Sequence, residues 1–128
     1  MKKEIYMQLG FPELRDVAGR NTIADLYLRK RTGIYLLYFP DNTYYVGQAV
    51  DVVRRFAQHL KQKGPIKSIS FMPVAQSKLN KIEQQCIGVL EKHCTLKNIA
   101  LVSSPVQESD IDDVLSPLEQ QNWLTHLA

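Results

Sequence analysis

From Gly33 to Phe39 the chain is continuously apolar and aromatic, a run of the length of one buried strand. Pro40-Asp41-Asn42 follows: Pro and Asp suit the central positions of a type I turn, and Asn tolerates the left-handed conformation after it. This predicts a three-residue hairpin loop with a bulge, then a second strand from Thr43 to Gly47. Loop length fixes the register. With three loop residues Phe39 opposes Thr43 and Tyr35 opposes Gly47, so Tyr35, Leu37, Tyr45 and Gly47 share one face. A two-residue loop would put Tyr35 and Tyr45 on opposite faces.

The period changes to a helical one at Asp51–Lys61. Val52, Val53, Phe56, Ala57 and Leu60 form its apolar stripe, flanked on one side by Arg55 and His59. Gly64-Pro65 ends the helix, and Ser68 to Val74 reads as a third strand. Ser77 is placed to cap a long helix from Lys78 to about His93. On that helix Leu79, Ile82, Cys86, Ile87, Val89, Leu90, His93 and Cys94 fall within an arc of roughly 160°. Glu83 lies inside the arc as its one charged residue. A carboxylate there costs stability unless it is paired or binds a cation. The plain alternatives are a Glu at the stripe's edge reaching solvent, or one satisfied by a nearby Arg.

Outside this region the pattern is weaker. Gly10-Phe11-Pro12 and Ala18-Gly19 mark breaks, and Thr22–Leu28 reads as either a short helix or a strand. Arg29-Lys30-Arg31 leads into the first strong strand. Lys97–Val102 reads as a last strand or an extended segment, and Ser103-Ser104-Pro105 opens an acidic linker. Ser116-Pro117-Leu118-Glu119 carries an N-cap, a proline at the first helical position and a capping glutamate, predicting a helix to about Leu127 with Trp123 packed.

Composition narrows the class. A chain of 128 residues, 45% apolar and 23% charged, suits one globular domain and excludes whole-chain disorder or a collagen-like repeat. No apolar run approaches the roughly 20 residues of a membrane-spanning helix, and no signal-peptide pattern opens the chain. The net charge of +3 hides an asymmetry: residues 1–100 carry 16 bases against 8 acids, and residues 101–128 carry 5 acids and no base. The stretch from Asn42 to Lys81 holds 7 bases against Asp51 alone, which hints at a nucleic-acid-facing body and equally suits a solvated basic face. Cys86 and Cys94, eight apart on one helix, would sit roughly 12 Å apart, too far for a disulfide. Reduced cysteines point to the cytoplasm. With His93 they lack the paired ligand spacing of a zinc site.

Taken in order, Gly33-Ile34-Tyr35, Tyr45-Val46-Gly47, Arg55, His59, Glu83 and Asn98 resemble the signature of the GIY-YIG nuclease family, over 66 residues. The resemblance implies an α/β fold, a small sandwich with a central three-stranded antiparallel sheet flanked by helices. It implies cleavage of phosphodiester bonds, usually in DNA, with one divalent metal, Mg2+ or Mn2+. Carried over, Glu83 is the metal ligand, Arg55 contacts the scissile phosphate, Tyr35 and Tyr45 sit at the nucleophile, and His59 and Asn98 complete the site. Which of Tyr35, Tyr45 and His59 is the general base stays open. The chemistry matches these residue types. Magnesium keeps several waters and needs few protein carboxylates, and an arginine can bridge two phosphate oxygens. The second triplet has Val where the family has Ile, and Gln48 follows where many members carry Lys or Ser. The expected organisation is an N-terminal extension (1–32) packing on the core, a nuclease-like domain (33–102), and an acidic linker with a C-terminal helix (103–128). Two other classes compete: a catalytically silent nucleic-acid-binding module on the same fold, and an interaction protein whose basic face meets an acidic partner.

Overall fold

A computed structural model of the chain describes residues 1–98. Its elements are α1 (Lys3–Met7), β1 (Arg15–Asp16), β2 (Gly33–Tyr38), β3 (Tyr44–Ala49), α2 (Val52–Lys63), β4 (Ser68–Pro73), a 3-10 turn (Gln76–Lys78) and α3 (Leu79–Leu90). The strands form one antiparallel sheet in the order β1-β4-β2-β3. Three of them are the expected central strands. The fourth, β1, adds a two-residue edge from the N-terminal segment, pairing Arg15 with Ile69 and Asp16 with Ser68.

The hairpin has the three-residue loop. Phe39 N donates to Thr43 O at 2.9 Å, Asn42 takes φ 66°, and Tyr35 pairs with Gly47. Alternation then sorts the side chains into two layers. Tyr35, Leu37, Phe39, Tyr45 and Ala49 pack with Val52 and Phe56 of α2. Ile34, Leu36, Tyr44 and Val46 pack with Leu79, Cys86 and Leu90 of α3. The segment before β2 contributes to both layers: Val17 and Ile23 to the first, Tyr6 and Phe11 to the second.

Several local expectations are corrected. Thr22–Leu28 is neither helix nor strand; it turns at residues 24–26, with Leu26 N donating to Ile23 O at 3.0 Å. Ser77 lies inside the 3-10 turn and caps nothing, so α3 begins at Leu79 without a side-chain cap. The helix also stops at Leu90, three residues early, because His93 N and Cys94 N both turn back onto Leu90 O. His93 is exposed instead of lying in the stripe. On α2 the buried stripe is Val52, Arg55, Phe56 and His59, while Ala57 is exposed. The helix is rotated so that its two polar residues face the sheet. Asp51 caps it, accepting from Val53 N at 3.0 Å. Leu96 bridges to Tyr44, and Lys97 and Asn98 are helical rather than extended. The rest of the expected final strand, the linker and the C-terminal helix lie outside the described residues.

Both triplet glycines mark close approaches. A Cβ on Gly33 would overlap the backbone carbonyl of Met72 and come within 2.8 Å of Pro73 Cα. A Cβ on Gly47 would overlap the Tyr35 hydroxyl and come within 2.9 Å of its Cε2. Tyr35 is buried and has no room to withdraw. Gly47→Ala should therefore lower the unfolding free energy by about 1–3 kcal/mol in urea titrations; an unchanged midpoint would show that the tyrosine does not need the gap.

Candidate active site

Tyr35 projects from the middle of β2 toward α2, across the space that Gly47 leaves. Its hydroxyl lies 2.7 Å from His59 Nε2 and accepts from Arg55 Nη2 at 3.1 Å. Arg55 Nη2 also approaches His59 Nε2, at 3.2 Å. Because Arg55 is only a donor, this network assigns the Tyr35 proton to the bond with His59 Nε2, which accepts. The imidazole proton then sits on Nδ1. Burial first, then the charges of Arg55 and Lys63, hold the His59 pKa well below its usual value, so the ring is neutral. Burial raises the Tyr35 pKa, and Arg55 opposes this by its charge and hydrogen bond. The resting pair is phenol and neutral imidazole.

Tyr45, on β3, stacks beside Tyr35 with ring centres 6.2 Å apart and lies 4.8 Å from the His59 ring. Lys63 Nζ stands 5.2 Å above the Tyr45 ring. Arg55 Nη1 donates to Gln58 Oε1 at 2.7 Å. Two buried atoms, Arg55 Nε and His59 Nδ1, have no hydrogen-bond partner among the described residues. Each such group costs about 1–3 kcal/mol.

Glu83 comes from the other layer. It is 8% exposed, on the face of α3 that packs on the sheet. Gln48 of β3 points to the same side, where its Nε2 donates to Glu83 Oε1 at 3.1 Å and to Asn80 Oδ1 at 2.7 Å. No Lys or Arg forms a salt bridge with Glu83 among the described residues. Burial raises its pKa to about 7, against the opposing influence of the Gln48 hydrogen bond and the Arg55 charge. Glu83 in turn disfavours a Tyr35 phenolate. The two halves thus sense each other around β3, the edge strand of the sheet.

Asn98 is placed elsewhere. Its Oδ1 accepts from Val46 N at 2.8 Å and its Nδ2 donates to Val46 O at 2.6 Å. Next to it, Tyr44 N donates to Thr95 O at 2.9 Å. The outer edge of β3 is thereby satisfied by a side-chain amide standing in for a strand. Asn98 holds the backbone between Tyr45 and Gly47, and no bond joins it to Tyr35, Arg55, His59 or Glu83 among the described interactions.

A family model described as the GIY-YIG catalytic domain matches residues 31–94. The chain belongs to the GIY-YIG family. Membership implies a function of nuclease type. No curated protein and no solved structure matches the chain.

For a GIY-YIG domain the donor set suits a hard divalent cation. A buried carboxylate with one amide donor and no basic partner is stabilised in its ionised form by such a charge. No cluster of three or more His, Cys, Asp or Glu occurs among the described residues, so no preformed zinc-like cage is present there. Gln48 is the site residue that sequence reasoning underweighted. Its signal was a polar side chain on a strand face otherwise occupied by Tyr44 and Val46.

Folding raises the Glu83 pKa, so the folded chain binds that proton more tightly than the unfolded one. Its contribution to stability therefore falls as pH rises from about 4.5 to about 7 and levels off above. The full effect is on the order of 3 kcal/mol. In EDTA, Glu83→Gln should be more stable than wild type at pH 8 by about 1–3 kcal/mol, with the gain gone near pH 4.5. Urea denaturation at both pH values measures this; a less stable variant at pH 8 would mean that the carboxylate has a cationic partner in the fold.

Proposed function

We propose that this chain is a metal-dependent endonuclease that hydrolyses phosphodiester bonds in DNA. One observation carries the reading: a hydrogen-bonded Tyr35-Arg55-His59 trio feels the charge of a buried carboxylate, Glu83 of the other layer, that has no salt-bridge partner among the described residues. Pure nucleic-acid binding has no use for a carboxylate next to phosphate. Glu83, steadied by Gln48, would hold Mg2+ or Mn2+. When bound, the cation supplies Lewis-acid stabilisation of the phosphate's developing charge and acidifies water.

The chain's own groups do the rest. Arg55 is fixed at both terminal nitrogens, so it would clamp phosphate oxygens without reorganising. As water attacks phosphorus, its proton passes to the Tyr35 oxygen while the Tyr35 proton passes to His59 Nε2, and the P–O bond to the leaving sugar oxygen breaks, that oxygen taking its proton from solvent water. The result is neutral phenol and imidazolium, with no free phenolate. A neutral His59 leaves Nε2 free to accept that proton, and the negative charge of the bound phosphate would offset the burial and the Arg55 and Lys63 charges that disfavour the imidazolium. Tyr45 walls the pair, and Asn98 is a positioning residue for the strand beneath it. In this reading residues 33–102 are the catalytic unit and 1–32 an extension whose apolar side chains complete both layers. DNA is the substrate class the family resemblance favours. The two free cysteines fit a cytoplasmic location, and no helix among the described residues is long and apolar enough to cross a membrane.

Nicking of supercoiled plasmid tests the reading. Wild type with Mg2+ or Mn2+ should convert it to open circles; EDTA or Glu83→Ala should abolish this, and Arg55→Ala should slow it by about 10²–10³-fold. Equal rates in all arms would remove Glu83 and Arg55 from the chemistry. DNA retardation without cleavage at any metal concentration would favour the silent binding module.

A further inference from the structure

The family match starts at residue 31 and so excludes Arg29 and Lys30. These two line an open groove of about 400 Å3 together with Arg31, Thr32 and Pro73-Val74-Ala75. Three bases and no acid face it. Arg31 is committed to the fold, donating through Nε to Tyr27 O at 2.8 Å and lying 3.7 Å from the Asp51 carboxylate. Arg29 and Lys30 are exposed and make no hydrogen bond or ion pair among the described residues. Their charge is available to a ligand.

The walls of the groove are tied to the sheet and to each other. Val74 N donates to Thr32 O at 3.1 Å, Thr32 Oγ1 donates to Val50 O at 2.7 Å, and Val52 N donates to Arg31 O at 2.9 Å. Both site-bearing helices also depart from it. Val52 opens α2, and Arg55 follows three residues later. The chain leaving Ala75 passes through the 3-10 turn into α3, where Glu83 is the fifth residue. At about 1.5 Å per residue, Arg55 lies about 4.5 Å along α2 from Val52, and Glu83 about 6 Å along α3 from Leu79, beyond the 3-10 turn. Successive phosphates on one strand of duplex DNA are about 3.4 Å apart along its axis. A backbone that passes the start of α2 on its way to Arg55 would thus bring further phosphates within reach of the groove, which Val52 N joins through Arg31 O.

We propose that Arg29 and Lys30 form a second phosphate-backbone site, which grips the nucleic acid a few phosphates from the cut and sets where the strand enters the active site. The ligand class is the phosphodiester backbone, read by charge and not by sequence. The proposal rests on the nuclease reading above, and its test separates the two. Binding of the full chain to a fluorescein-labelled DNA duplex of about 20 base pairs is followed by anisotropy in EDTA, between about 50 and 200 mM salt. The Arg29→Ala/Lys30→Ala double variant should bind about tenfold more weakly, and its slope of log K against log salt should shrink by about 2, the value for two lost phosphate contacts. Its melting temperature should match wild type, and Lys92→Ala, in the exposed turn after α3, should change neither affinity nor slope. A double variant with the wild-type slope would overturn the groove site and leave the nuclease reading standing. Wild type that shows no salt-dependent binding would overturn both.

Discussion

The ring of Tyr35 lying over Gly47 is the constraint on which the rest of the site depends. It requires the three-residue hairpin loop, because only that register puts a tyrosine and a glycine directly opposite each other on the α2 side. It requires glycine, because any Cβ at residue 47 would occupy the ring's position. Once the ring lies there, its hydroxyl reaches α2 and meets Arg55 and His59 one helical turn apart. The family's two triplets are thus two halves of one contact, joined by strand pairing.

The energetics around that contact favour chemistry over stability. Arg55 and His59 occupy places on α2 that apolar residues would fill in an ordinary amphipathic helix. They are tolerated because they bond to Tyr35, to each other and to Gln58, but Arg55 Nε and His59 Nδ1 stay unsatisfied among the described residues. Glu83 is buried with no salt-bridge partner among the described residues. Such costly buried polar groups persist when the surrounding fold offsets them, here by two apolar layers on one sheet. The orientation of each group is set from behind: Gln48 for Glu83, Gln58 for Arg55, and Asn98 for the edge strand that carries Tyr45 and Gly47.

How much was legible follows from which forces are local. The hairpin could be read because turn chemistry and alternation are properties of adjacent residues. Glu83 stood out because a charge inside an apolar arc is visible without a fold. The rotation of α2 was not legible: Arg55 and His59 look like flanking polar residues until Tyr35, some 20 residues earlier, arrives to bond them. The early end of α3 and the idle Ser77 reflect backbone bonding at the helix ends, which propensity does not encode. Asn98 was singled out as part of a pattern, but its bonds to Val46, 52 residues away, depend on the edge that β3 presents. The fourth strand was missed because its two residues carry no periodicity.

The central claim is that the buried carboxylate of Glu83, which has no salt-bridge partner among the described residues, is built to meet a divalent cation. Paramagnetic broadening by Mn2+ tests it most directly, followed on nitrogen-labelled chain at pH 8 by NMR. The account predicts that low Mn2+ selectively broadens the side-chain amide of Gln48 and the backbone amides around Glu83, and that Glu83→Gln abolishes this while leaving the rest of the spectrum in place. Identical broadening in wild type and Glu83→Gln, or none near Gln48 in either, would contradict it.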